Sequence, residues 1–377
     1  MQYPGWSNGK VNIGEGLALA SITIAALWPP DPVIAEEDKV LNVYNWADYI
    51  GEDTLADFQS EYGIKINYDI YESSEIVDAK LMAGNTGYDV VVHSAAFSAR
   101  LIPVGIYQPL DKSKLTNLSN LDSRVLDLLA ESDPGNRYAI PYMWGTTGFS
   151  YNVEMIKERM PDAPLASGDM IFNPEIVSRF ADCGVSFLDS PTDVIPMTLI
   201  YLGLDGNSTD PDEIAEAEQV LRGVRPYIKY FSSAKMLMDL PNKEICIAMS
   251  WSGDYATAYV RAKEAGVDIE LAYTIPEEGS ASWVDGVYIP SDAPHPDNAH
   301  LFLDFLMRPE VIAAISNKTN YANGNEASTP LVNPEIVNNP AIYATDDVLG
   351  NSTIQKLFPP KIERLRTRVW SRVKTGM

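Results

Sequence analysis

Cysteine and histidine are scarce in this 377-residue chain, which holds two of the former and three of the latter. No CxxC pair occurs, and His93, His295 and His300 show no ligand spacing, so neither zinc nor any other metal or cofactor is expected. GxSxG, HExxH and Walker-type loops are missing too, which removes the usual signatures of acyl, metallopeptidase and nucleotide chemistry. Positive charge is thin: 28 Lys and Arg stand against 52 Asp and Glu, a net charge of −24. Nucleic acid is therefore not an expected partner, since its affinity depends on neutralising phosphates. The acidity suits solubility, and a field that draws in cations is compatible with it.

A membrane-spanning run is not found near the start of the chain either. Leu17 to Trp28 (LALASITIAALW) is about a dozen apolar or small residues, short of the about 20 that a spanning helix needs. It fits the apolar core of a secretory leader, with Lys10 before it and Ala35 as a small residue for cleavage ahead of Glu36-Glu37. Residues 1–39 are read as that leader, and the rest as exported. Cys183 and Cys246 allow a bridge, two buried thiols or half a metal site; in an oxidising compartment a single bridge is the natural reading. It would close a loop of roughly 64 residues and contribute about 4 kcal/mol in the chain-entropy model.

What is present is a core-forming composition, 46% hydrophobic, in a chain long enough for two lobes. Val40 to Trp46 reads as a strand, Asp53 as the cap of a helix through Tyr62, and Gly63 as its stop. Ile64 to Tyr71 alternates as a strand does, Ser73-Ser74 open a helix to Gly84, and Tyr88 to Val92 is a short apolar strand delivering Ser94. This β-α-β-α-β rhythm argues for an α/β fold with a mainly parallel sheet, whose ligands bind beyond the carboxyl ends of strands. Tyr138 to Tyr142 and Tyr273 to Gly279 read as crossings between lobes, with Gly145-Thr146-Thr147-Gly148 letting the backbone turn sharply. Ile245 to Ser250 is an apolar strand, followed by a helix from Tyr255 (YATAYVRAKEAG). His300–Met307 and Val311–Ile315 read as helices separated by Pro309, and the tail from Lys356 to Lys374, with seven basic residues, as a solvated helix.

Four segments place an aromatic beside an acid or hydroxyl: Trp46-Ala47-Asp48-Tyr49, Ser94, Trp251-Ser252-Gly253-Asp254 and Trp283-Val284-Asp285. Brought together, they form a box with indole walls and carboxylate ends. Indole faces attract cations by about 0.5 to 2 kcal/mol each, and ionised carboxylates make strong charge-assisted hydrogen bonds. Such a box suits a flexible organic cation with an apolar middle.

In this order the residues resemble the polyamine-binding proteins of bacterial ABC importers, the putrescine and spermidine receptors. The likeness runs from about Val40 to the C-terminus through Tyr44-Asn45-Trp46, Lys80 to Gly84, Gln108 to Lys112, Pro141 to Trp144, Cys183 to Asp189 and Arg364 to Trp370. It implies a two-lobed type II periplasmic binding protein with a hinge, in which residues 40–142 and 280–328 form one lobe and 143–279 and 329–377 the other. It implies aromatic walls from Trp46, Tyr49, Trp251 and Trp283, ammonium anchors in Asp254 and Asp285, and polar contacts from Ser94 and the Tyr321 hydroxyl. Asp193 is implied as a further ligand contact, with a reach one methylene shorter because relatives carry Glu there, and Ala47 falls where they carry Ser or Thr, so that only its backbone could contribute. The expected function is capture of a polyamine in the periplasm by a monomer that delivers it to an ABC permease, with no catalysis; a sensor accessory reporting polyamine to a membrane signalling protein is the alternative. Trp283 leans toward spermidine, the sequence as a whole toward putrescine.

Overall fold

The computed structural model describes residues 37–356 and 358–376. The leader read over 1–39 lies, up to Glu36, outside the described residues. Eleven strands appear among those described. The first three are β1 (Val40–Trp46), β2 (Lys65–Tyr71) and β3 (Val90–Ser94). Then come β4 (Ala139–Asn152), β5 (Val185–Phe187), β6 (Ile228–Phe231) and β7 (Ile247–Trp251). The last four are β8 (Leu271–Thr274), β9 (Ser280–Tyr288), β10 (Ala322–Asn323) and β11 (Ser352–Ile354).

In one half, β1 lies between β2 and β3, all parallel, with Trp46 opposite Tyr71 at the ends of their strands. Helices Thr54–Tyr62 and Ser74–Ala83 make the connections. Gly63 ends the first with a left-handed φ of 66°, a conformation glycine adopts without penalty. Asp53 stands at its N-cap but makes no side-chain capping bond, its backbone being already helical in place of the extended conformation of a capping residue. Ser73 does cap the second, accepting from the Ile76 N–H. β9 then runs antiparallel to β3, pairing Asp285 with Ser94. The other half places β5 between β6 and β7, again parallel. Antiparallel pairs gather on β4 and β9, which carry the chain from one half to the other.

β4 differs from the expected crossing. It is a single buried strand of 14 residues with no sharp turn at Gly145–Gly148. Its partner changes instead: residues up to Thr146 pair with β9, and from Thr147 onward with β7 and β8. The glycines answer to close approach. A Cβ on Gly145 would lie 2.6 Å from the Trp283 ring and from Ser252 Oγ, and one on Gly148 would lie 2.2 Å from the Thr274 carbonyl.

Apolar side chains collect on both sides of this passage. Leu41, Phe58, Val92, Tyr142 and Phe302 belong to one buried cluster, and Phe149, Phe187, Leu199, Leu221 and Trp370 to another. Trp251 packs against both. A further cluster holds Tyr44, Leu101 and Val284 with Val332, Ile336, Ile342 and Ala344. The helix begun by Pro309 runs to Thr319, longer than read, because proline is tolerated in a first turn. The tail forms the helix Pro360–Thr375, and it is not solvated all round: Ile362, Arg366, Val369, Trp370 and Val373 are buried. Arg366 donates to the carbonyls of Gly206 and Ser208 and sits 3.8 Å over the Phe358 ring.

Cys183 and Cys246 form a disulfide with Cα atoms 5.5 Å apart, tying the entry of β5 to that of β7. Replacing both by serine is expected to lower unfolding free energy by about 2–5 kcal/mol. Urea denaturation without reductant measures this, and an unmoved midpoint would contradict the role.

Candidate ligand-binding site

All nine residues singled out in the sequence line one cleft: Trp46, Tyr49, Ser94, Asp193, Trp251, Asp254, Trp283, Asp285 and Tyr321. Its empty space, counting the open mouth, is about 1200 Å³. Trp46, Ser94 and Trp251 arrive at the ends of strands, and Trp283 from within one. Trp46 closes β1 and packs against Tyr71 with ring centroids 4.5 Å apart. The backbone then turns back, and the Tyr49 carbonyl is held by Asn45 Nδ2 at 3.1 Å and the Tyr142 hydroxyl at 2.7 Å. Those bonds set the Tyr49 ring edge-on between Tyr142 and Tyr321. Ser94 closes β3 and faces the cleft beside its register partner Asp285. Trp283 comes from β9 and meets Tyr321 at 5.5 Å.

Trp251 ends β7 and starts the helix Ser252–Glu264, which begins three residues earlier than read from the sequence. That shift puts Asp254 in the helix's first turn, where the backbone dipoles favour a negative group. The Tyr321 hydroxyl donates to Asp254 Oδ1 at 2.6 Å. Gly253 makes this possible: a Cβ there would strike the Tyr321 ring carbons at 2.6 Å. Among the described residues, Asp254 Oδ2 and the indole N–H groups of Trp46 and Trp283 have no hydrogen-bond partner.

Electrostatically the two buried acids stand out. Burial raises Asp254 to about 7, opposed by the Tyr321 hydroxyl and the backbone N–H of Trp251. Burial likewise raises Asp285 to about 7, opposed by the Tyr49 hydroxyl and reinforced by the charge of Asp193. The basic influence on Asp254 is the field of Arg261, whose guanidinium pairs with Asp48 at 3.3 Å. Asp48 sits at the mouth with φ of 55°. His93 is buried behind Ser94, bonded through Nδ1 to the Tyr107 and Ser98 hydroxyls, and burial lowers it to about 3. It is a neutral framework group.

The cleft also contains Phe97, Thr192, Thr257 and Gln355. None is itself an acid beside an aromatic, so none was singled out in the sequence, although Thr192 adjoins Asp193 and Thr257 follows Asp254-Tyr255. Gln355 reaches the site because the segment after β11 continues along β9, its N–H donating to the Ser282 carbonyl.

Indoles and tyrosines thus surround two buried acids in one cleft, a setting whose chemistry suits a cation. A family model for bacterial extracellular solute-binding proteins matches residues 53–344. The chain belongs to this family. This solute-binding protein is 47% identical to the putrescine-binding periplasmic protein PotF of Escherichia coli (strain K12), over 91% of this chain and 93% of that one. It is 33% identical to the spermidine/putrescine-binding periplasmic protein of the same strain, over 85% and 88%. Among solved structures it resembles the spermidine/putrescine ABC transporter substrate-binding protein PotD of Streptococcus pneumoniae, with TM-score 0.75 and 25% identity over 90% of this chain and 99% of that one.

The raised acids make the stability of this solute-binding protein depend on pH in a defined direction. Near 7 in the fold against an ordinary 3.8, Asp254 and Asp285 keep protons that the unfolded chain has lost. Their contribution is complete below about pH 4 and is lost as pH rises to 7, by up to about 1.4 kcal/mol per group per unit. The ligand-free protein should therefore melt at lower temperature at pH 7.5 than at pH 5, and Asp254→Asn or Asp285→Asn should flatten that slope. Identical slopes in parent and variants, by calorimetry, would count against the assignment.

Proposed function

We propose that this protein is an exported receptor that closes its two lobes on a linear polyamine, putrescine or spermidine, and presents it to an ABC permease for uptake. The observation that supports this best is the pair of buried acids, Asp254 and Asp285, in an aromatic cleft with no basic partner among the described residues close enough to neutralise them. An unpaired buried charge costs several kcal/mol, so such acids call for a cationic occupant at each. In the bound state each ammonium is held by one of these carboxylates. Ser94 and the Tyr49 and Tyr321 hydroxyls supply further polar contacts.

Trp46, Trp251 and Trp283 enclose the methylene chain, whose desolvation contributes about 25 cal/mol per Å². After ordering costs, a net affinity of about −8 to −12 kcal/mol, micromolar to nanomolar, is expected. The net charge of −24 steers cations toward the mouth and repels nucleic acid. The receptor acts as a monomer in the periplasm. Closure follows from selection of the shut state by a ligand that touches both lobes.

Calorimetric titration of the mature chain with putrescine, cadaverine, spermidine and spermine tests this. Saturation by one or two of them is expected, and Asp254→Asn or Asp285→Asn should each cost about 2–5 kcal/mol of affinity. Binding of an amino acid or a sugar in place of any amine would overturn the proposal. In the same assay Trp283→Phe should change the ratio of spermidine to putrescine affinity, because it trims the wall along the chain; an unchanged ratio would remove Trp283 from selectivity.

A further inference from the structure

Asp193 is the third acid of the cleft, and its surroundings differ from those of the other two. It lies in the first turn of the helix Pro191–Tyr201 and is buried. Its Oδ1 accepts from the Thr147 hydroxyl at 2.7 Å, the Trp251 indole N–H at 3.1 Å and Gln355 Nε2 at 3.1 Å. Its Oδ2 accepts from the Ser190 hydroxyl at 2.5 Å. Asp254, in contrast, keeps one oxygen unpartnered.

These donors come from separate parts of the molecule. Thr147 is where β4 changes partners, and Trp251 is its register neighbour on β7. Gln355 follows β11, and its amide also donates to the Thr192 carbonyl at 2.9 Å. Ser190 precedes the helix whose first turn holds the acid. An indole has one donor and no acceptor, so a single well-placed oxygen sets which way the ring turns. Trp46 and Trp283 lack such a partner. Trp251 alone of the three cleft tryptophans has its indole N–H tied to a carboxylate.

We propose that Asp193 is a positioning residue, which orients the Trp251 wall and ties it to the passage between lobes and to Gln355, and does not itself anchor an ammonium. The affinity side of its test rests on the polyamine reading above; the spectroscopic side does not. An amide oxygen still accepts from the indole, so Asp193→Asn keeps the orientation and loses only charge, while Asp193→Ala removes the acceptor.

The test combines a ¹H–¹⁵N spectrum of the ligand-free protein with putrescine titrations. The Trp251 indole resonance, assigned through Trp251→Phe, should hold its place in Asp193→Asn and move in Asp193→Ala. Putrescine affinity should fall by less than about tenfold in the asparagine variant and by more in the alanine variant. The losses from Asp193→Ala and Trp251→Phe should not add, as expected for one residue acting through the other. An asparagine variant weakened more than about 100-fold, the range for removing a buried charge partner, would overturn the proposal. So would additive losses, or an indole resonance unmoved in Asp193→Ala. Should the alanine variant not fold, the asparagine affinity alone decides. Should no amine bind the parent, the functional reading fails while the indole resonance still decides the role of Asp193.

Discussion

Two carboxyl groups kept out of water, with no cation paired to them among the described residues, set the demands that the rest of the cleft meets. Asp254 and Asp285 are each buried, and burial is the main cause of the upward shift in both. A protein that merely folds avoids such groups or pairs them. Here the surrounding hydroxyls temper the strain without removing it, through Tyr321 on one acid and Tyr49 near the other. The strain that remains is of the kind that a positive charge between the two acids would relieve.

That arrangement needs a rigid frame, since acids free to swing outward would hydrate. The frame is assembled from strand ends. β1, β3 and β7 all stop at the cleft, and β9 passes Trp283 and Asp285 through it. Register pairing does much of the positioning: Asp285 faces Ser94 across one ladder, and Trp251 faces Thr147 across another. Side chains that occupy fixed places in a ladder keep their spacing better than side chains on loops. The disulfide fastens the far end of the β5–β7 pair, remote from these tips.

Trp46, Ser94 and Trp251 were legible in the sequence because each follows an apolar run that visibly ends, whereas Trp283 and Asp285 lie inside β9 and showed only as an aromatic–acid pair. The strand before Trp46 matches the reading from Val40 onward, and the strand before Trp251 was displaced by about two residues. Glycine was harder. The pattern Gly145-Thr146-Thr147-Gly148 announces missing side chains but not whether they serve a turn or a neighbour, and here a neighbouring ring decides. Gln355 was invisible because its partner Asp193 is 162 residues away, and nothing local marks an amide that meets a carboxylate only after folding. The buried Arg366 was hidden for a like reason, as composition counts it among surface charges.

Gly253 has a consequence beyond the space it leaves. It belongs to the helix that carries Asp254, while the ring it faces, Tyr321, packs in the cluster of Leu41, Phe58 and Phe302. A side chain at this position would strike the ring, so the bare backbone is what lets Asp254 come within reach of the Tyr321 hydroxyl, and any bulkier residue there would part the acid from its donor.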